Sequence, residues 1–173
     1  MAFKAGSEST TDTWLTPKWI LDALGQFDLD PCAAPSPRPW SSAKRHYEVG
    51  KGQDGLRLPW AGRVWLNPPY SSADPWVAKM HAHGDGVMCV AVRGEVRRWM
   101  EHIWSGADRI LLLAPRTTFM TIDGKGTYGN VNQTALVAYG KSNAAVLDSC
   151  GLNGLLLTKW KVMKGITKHA NKP

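Results

Sequence analysis

Arg63-Val64-Trp65-Leu66-Asn67-Pro68-Pro69-Tyr70 is the stretch whose reading decides the fold class. Val64 to Leu66 form a brief apolar run, and the Asn-Pro-Pro behind it blocks continuation of either strand or helix. The stretch therefore reads as a buried strand running into a rigid turn. Downstream, Pro75 to His81 has helical character, and Val87 to Val92 (VMCVAV) is apolar at every position, as a strand covered on both faces requires. Strand, helix and strand in that order predict an α/β sheet with helices on both faces. In such sheets ligands sit beyond the carboxyl ends of the strands, and Asn67 lies at one such end.

Upstream, Thr16 reads as an N-cap and Pro17 as the first turn of a helix through KWILDALG, with Ile20, Leu21 and Leu24 on one face and Gly25 as its stop. Phe27 to Asp30 is a short strand, and Pro31 to Pro39, with four prolines, is a loop. Beyond the central strand the pattern predicts a helix over Gly94 to Trp104, with Trp99 and Ile103 on one stripe. Strands follow at Ile110 to Leu113, Thr134 to Tyr139 and Leu152 to Leu157, with a Gly-rich loop at 121–132. Neither a repeat nor a low-complexity linker divides the chain. The expectation is a flexible N-terminus at 1–13, one domain over 14–157 and a basic tail at 158–173.

The 173 residues are 43% hydrophobic, enough for a real core. No apolar run is long enough for a membrane span. The opening MAFKAGSESTTDT lacks the apolar stretch of a secretory signal, so a soluble cytoplasmic domain is expected. Cys32, Cys89 and Cys150 are sparse and contain no close pair, which argues against a disulfide framework or a cysteine zinc site; His81-x-His83 has no further ligand near it, so no metal is expected. The net charge of +7 is unevenly spread: Lys159, Lys161, Lys164, Lys168 and Lys172 all follow residue 157, leaving 16 basic against 14 acidic residues before them. Such a tail suits a polyanion, DNA included, or simply solubilises the chain end.

Asn67-Pro68-Pro69-Tyr70 makes chemical sense for methylating an amine conjugated to a ring. The lone pair of such a nitrogen is delocalised. Two acceptors aimed at its N–H groups, the Asn67 side-chain oxygen and the Pro68 carbonyl, would draw it toward tetrahedral geometry and support the charge that builds during attack. Pro68 and Pro69 stiffen the loop, and Tyr70 offers a flat face to a base swung out of a duplex. The plainer alternative is a strand end with Tyr70 in the core.

The tetrapeptide resembles the catalytic motif of amino-group methyltransferases that use S-adenosylmethionine. Trp14-Leu15-Thr16-Pro17, Phe27-Asp28-Leu29-Asp30-Pro31-Cys32-Ala33-Ala34, Asp54-Gly55-Leu56 with Trp60, and Val64 through Ser71 together resemble the small phage and prophage DNA N-6-adenine methyltransferase (Dam) family. Ala107-Asp108-Arg109-Ile110 and Arg116-Thr117-Thr118-Phe119 fit it more loosely. The resemblance implies a shortened class I S-adenosylmethionine-dependent (Rossmann-like) methyltransferase sheet and transfer of a methyl group to a flipped-out adenine, in a bacteriophage or restriction–modification setting within the bacterial cytoplasm. By position it implies that Thr16 and Pro17 close over the methionine end of the cofactor. Asp30, Pro31, Cys32 and Ala33 then form the first cofactor loop, Asp54 accepts from the cofactor's adenine, and Asn67 borders both sites. Asp28 or Asp30 as a turn cap and Asp54 as the start of an Asp-Gly turn remain open.

The family's glycine-rich loop is missing, since Pro35, Pro37 and Pro39 follow Ala34. Residues 31 to 66 are also too few for two full parallel crossovers, so a helix or strand there is expected to be lost. Glu48 is the candidate ribose-binding acid. DNA-binding candidates are Arg93, Arg97 and Arg116, with Arg98 beside them, and Lys159 and Lys161 in the tail. Other readings are a cytosine N4, RNA-base or protein-glutamine acceptor, or a non-catalytic nucleic-acid binder.

Overall fold

The computed structural model describes residues 14–48, 51–124 and 132–163. The expectation of a flexible terminus at 1–13 and the tail residues Lys164, Lys168 and Lys172 lie outside them. Helix α1 (Lys18–Leu24) precedes three short strands, β1 (Leu29–Asp30), β2 (Arg45–His46) and β3 (Val64–Leu66). After a 3-10 turn at Tyr70–Ser72 come α2 (Ala73–His83), β4 (Gly86–Ala91) and α3, a π turn Trp99–Ile103 running into Trp104–Gly106. The chain continues through β5 (Arg109–Leu113), β6 (Thr134–Tyr139), α4 (Lys141–Ser149) and β7 (Gly154–Leu157).

The seven strands form one sheet in the order β2-β1-β3-β4-β6-β5-β7. The four on the β2 side are parallel, and β6 runs against both β4 and β5, as β7 does against β5. The sheet is therefore mixed. Period-two alternation sorts its buried side chains to two faces. Leu66, Met88, Val90 and Val137 pack with Trp76, Val77 and Met80 of α2 and with Trp99 and Ile103 of α3. Trp65, Val87, Cys89 and Leu136 pack with Ile20, Leu21 and Leu24 of α1 and with Leu147 of α4. Helices thus cover both faces, as expected.

Three local expectations need correction. Thr16 does not cap α1: the helix begins after Pro17, no side chain caps it, and the Thr16 hydroxyl is buried without a hydrogen-bond partner. The helix expected from Gly94 starts at Arg97, because Gly94 and Glu95 form a turn. Helix α4 was not anticipated. It is reached through Gly140, whose φ of 87° few other residues tolerate. Its buried Asn143 donates to Asp85 Oδ1 and the Tyr139 carbonyl, both at 2.8 Å, and accepts from Arg63 Nε at 2.6 Å. Between β1 and β3 the described residues contain only the two-residue β2 and no α-helix, which is the shortening the spacing predicts. Among the described residues, no helix is long and apolar enough to cross a membrane.

Candidate active site

From β1 the chain moves outward to β2 and then returns to place β3 on the other side of β1. The strand order therefore reverses between β1 and β3, and a crevice opens at the carboxyl ends of strands on either side of such a reversal. Both ends carry chemistry here, Asp30 closing β1 and Asn67 following β3. Leu29 pairs with Val64, so the two residues stand at neighbouring levels on one edge of the sheet.

A small cleft opens at this edge; its walls include Trp14, Thr16, Asp30, Cys32, Arg38 and Asn67. Its roof is the segment before α1. Leu15 and Met120 exchange backbone hydrogen bonds of 2.8 and 2.9 Å in an isolated antiparallel bridge. Trp40 Nε1 donates to the Thr16 carbonyl at 3.0 Å. The Asn67 amide nitrogen donates to the Trp14 carbonyl at 3.4 Å, which turns the amide oxygen away from that bond and leaves it as an acceptor. Pro68 is buried behind it. Tyr70 stands edge-on to Phe119, with ring centroids 6.3 Å apart. The tetrapeptide and the Arg116–Phe119 segment thus meet in space.

Asp30 is buried, and its known partners are neutral. Oδ1 accepts the Cys32 N–H at 3.0 Å and Oδ2 accepts the Ser42 hydroxyl. Burial pushes its carboxyl up to about 6, outweighing those two bonds and the field of Arg38. One oxygen of Asp30 thus shapes the loop, and the same side chain lines the cleft. Pro31 is buried and Ala33 half-buried in the same loop, where the Ala33 N–H donates to the Tyr47 carbonyl at 3.2 Å. Pro17 stands at the N-terminus of α1.

Asp54 is exposed and sits outside this cleft's walls. Its Oδ1 accepts the Leu56 N–H at 2.9 Å, the geometry of the turn it begins. Gly55 presses on the cofactor-loop candidate, since a Cβ there would lie 1.9 Å from the Pro31 carbonyl oxygen. Lys79 of α2 donates to the carbonyls of Gly55, Leu56 and Leu58 at 2.7 to 3.0 Å and clamps that turn. Glu48, two residues past β2, is taken up by Ser36, Arg38 and Lys51. Burial raises its carboxyl, but these hydrogen bonds outweigh it and hold the group at about 2.

The basic candidates divide by edge. Arg93 follows β4 and Arg116 follows β5, and both strands end at the Asn67 edge because each opposes β6. Arg116 is exposed and makes no ion pair among the described residues; Arg93 lies 4.0 Å from Glu95. Arg97 is tied to Glu101 at 2.8 Å, and Arg98 pairs with Asp74 of α2. Strand β7 pairs Gly154 with Leu113 and Leu157 with Ile110, so the chain leaves the sheet at the opposite edge. Lys159 and Lys161 are exposed beyond it, flanking Trp160, whose Nε1 donates to the Trp104 carbonyl at 2.7 Å. His81 Nδ1 lies 3.2 Å from His102 Nδ1, His83 contacts the Gly62 carbonyl, and no group of three metal-ligating side chains assembles among the described residues.

Sequence reasoning passed over Arg38, Trp40 and Ser42, which complete the cleft, and the buried hydroxyl of Thr117 beside Phe119. The first three sit in or just beyond a proline-rich loop with no period to read, and their only signal was proximity to the Asp30 loop.

The family described as DNA N-6-adenine-methyltransferase (Dam) matches residues 5–147. The DNA N-6-adenine-methyltransferase of Haemophilus phage HP1 (strain HP1c1) is 35% identical over 78 residues, 42% of this chain and 42% of that protein. The similarity thus spans less than half of that relative's length. No solved structure matches the chain.

Proposed function

The chain belongs to the DNA N-6-adenine-methyltransferase (Dam) family, and from that premise we propose that it transfers a methyl group from S-adenosylmethionine to the exocyclic amine of an adenine in DNA. The observation that carries the reading is the Asn67-Pro68-Pro69-Tyr70 turn at the strand-order reversal, with the Asn67 amide oriented by the Trp14 carbonyl. Its amide oxygen and the Pro68 carbonyl accept the two N–H groups of the target amine, pull its lone pair out of conjugation and hold the charge that develops on nitrogen. Tyr70 stacks on the extruded base, braced by Phe119.

The cleft suits the donor. A buried carboxylate with neutral partners, Asp30, faces the same space as the Thr16 hydroxyl, which is buried and has no partner. Asp30 fits an ammonium, Thr16 and Pro17 roof that end, and Pro31, Cys32 and Ala33 form the loop beneath. Bound there, S-adenosylmethionine supplies an electrophilic methyl group on a sulfonium. Asp54 reaches the donor's adenine only from the rim. The four parallel strands and reversed β6 favour a shortened class I methyltransferase sheet. Arg93, Arg97 and Arg116 are the proposed phosphate contacts near the site, with Lys159 and Lys161 as more distant ones, in a cytoplasmic enzyme.

The test is incubation of the protein with labelled S-adenosylmethionine and, in separate reactions, DNA, RNA or protein, followed by mass spectrometry of the digests. N6-methyladenine from DNA is the expected product. Label in another base or in glutamine reassigns the acceptor, and no label anywhere removes the enzymatic reading.

A further inference from the structure

The cleft holds a cation that the reading above leaves without a task. Arg38 is nearly buried, its side chain 12% exposed, and it lines the same cleft as Asp30 and Thr16. Three bonds fix it: Nε donates to the Ala34 carbonyl at 3.0 Å, and Nη2 donates to the Ser36 hydroxyl at 3.2 Å and to Glu48 Oε1. Nη1 makes no hydrogen bond among the described residues. A guanidinium anchored through two nitrogens, with the third open, is a preorganised donor for one more acceptor. An α-amino-acid group presents an ammonium and a carboxylate on one carbon, and this wall presents a carboxylate and a guanidinium.

We propose that Arg38 binds the carboxylate of the donor's amino-acid end while Asp30 takes its ammonium, so that the cleft selects a zwitterion. The inference rests on the methyltransferase reading and adds to it the group that recognises the donor's acid. Glu48 then acts as the anchor that aims Arg38, which accounts for a buried acid engaged so completely within its own loop. The competing role for Arg38 is purely architectural: it pins the proline-rich loop to Glu48 and never meets a ligand.

Titration calorimetry with S-adenosylhomocysteine and with its decarboxylated counterpart, which keeps the amine, separates these roles. The wild-type chain should bind the acid-bearing ligand about 10- to 100-fold more tightly, the range of one charge-assisted hydrogen bond. Arg38→Met/Glu48→Gln, which removes both partners so that neither charge is stranded, should abolish that preference while leaving the decarboxylated ligand's affinity within about threefold. Arg38→Lys, keeping the charge without the fork, should retain part of it and serves should the double variant fail to fold. Equal wild-type affinity for both ligands overturns the proposal but leaves the donor reading standing. An undiminished preference in either folded variant also overturns it, as does equal weakening of both ligands. Failure of the wild-type chain to bind either ligand would instead overturn the methyltransferase reading itself.

Discussion

Asn67 and Asp30 sit on the same edge of the sheet, but only Asp30 titrates, and their variants should separate accordingly. On the proposed reading Asn67→Ala removes an acceptor needed chiefly in the transition state, so methyl transfer should fall by roughly a hundredfold or more with melting temperature near wild type. Near wild-type turnover would remove Asn67 from the mechanism. Asp30 is held at about 6, above the 3.8 of an unperturbed carboxyl, so the folded chain binds that proton more tightly than the unfolded one. The ligand-free protein therefore gains stability as pH falls through about 6 and loses it as pH rises. Asp30→Asn should be the more stable protein at pH 7.5, by up to about 3 kcal/mol, with the difference gone by about pH 4 in thermal melts. The same change should weaken S-adenosylhomocysteine. Wild-type affinity for that ligand should decline below about pH 6, where Asp30 takes up its proton, and the variant's should stay flat. Both residues were legible in the sequence because each is announced locally, by a proline pair or by a strand end. Arg38 was not, since its meaning comes from Glu48, ten positions on and across β2.

Elements were legible in proportion to their length and periodicity. Strands β4 and β6 are six residues each and wholly apolar in burial, and α2 repeats Ala73, Trp76, Val77 and Met80 at helical spacing. Strand β2 is two residues of Arg and His, too short and too polar for any period. Helix α4 buries only Asn143, Ala144 and Leu147, and its polar member is satisfied by residues far away in sequence. The 54–58 turn was visible as an Asp-Gly pair, but its attachment was not. Gly55→Ala would drive a methyl group into the Pro31 carbonyl, so the Asp30 loop must move. A lower melting temperature and at least tenfold weaker S-adenosylhomocysteine binding are expected. Lys79→Met leaves three carbonyls without their shared donor and should speed hydrogen exchange in residues 54–58 while sparing β4 and β6. Uniform acceleration across the sheet would mean that Lys79 supports the whole domain.

At the level of the molecule, charge and topology have to be read together. The sequence marks the basic tail clearly but says nothing of which way β7 runs, and β7 carries Lys159 and Lys161 away from the Asn67 edge. On the proposed reading the arginines after β4 and β5, at the Asn67 edge, are better placed to meet DNA. Arg93→Ala/Arg116→Ala should lower affinity for every DNA sequence about equally and flatten the salt dependence by close to 0.9 per lost phosphate contact. Lys159→Ala/Lys161→Ala should do less to the KM for DNA. An unchanged salt slope in the arginine pair would move the phosphate contacts elsewhere.

The bridge between Leu15 and Met120 also sets a clock. It joins positions roughly a hundred residues apart, and the Trp14 carbonyl that orients Asn67 belongs to the bridged segment. On a ribosome adding ~5–20 residues per second, Met120 is made on the order of 5 to 20 s after Leu15. A nascent chain already carrying its whole tetrapeptide and Asp30 loop therefore lacks the roof over them. The cleft is completed late in synthesis, when the strand-end loop after β5 arrives to hold down the segment before α1.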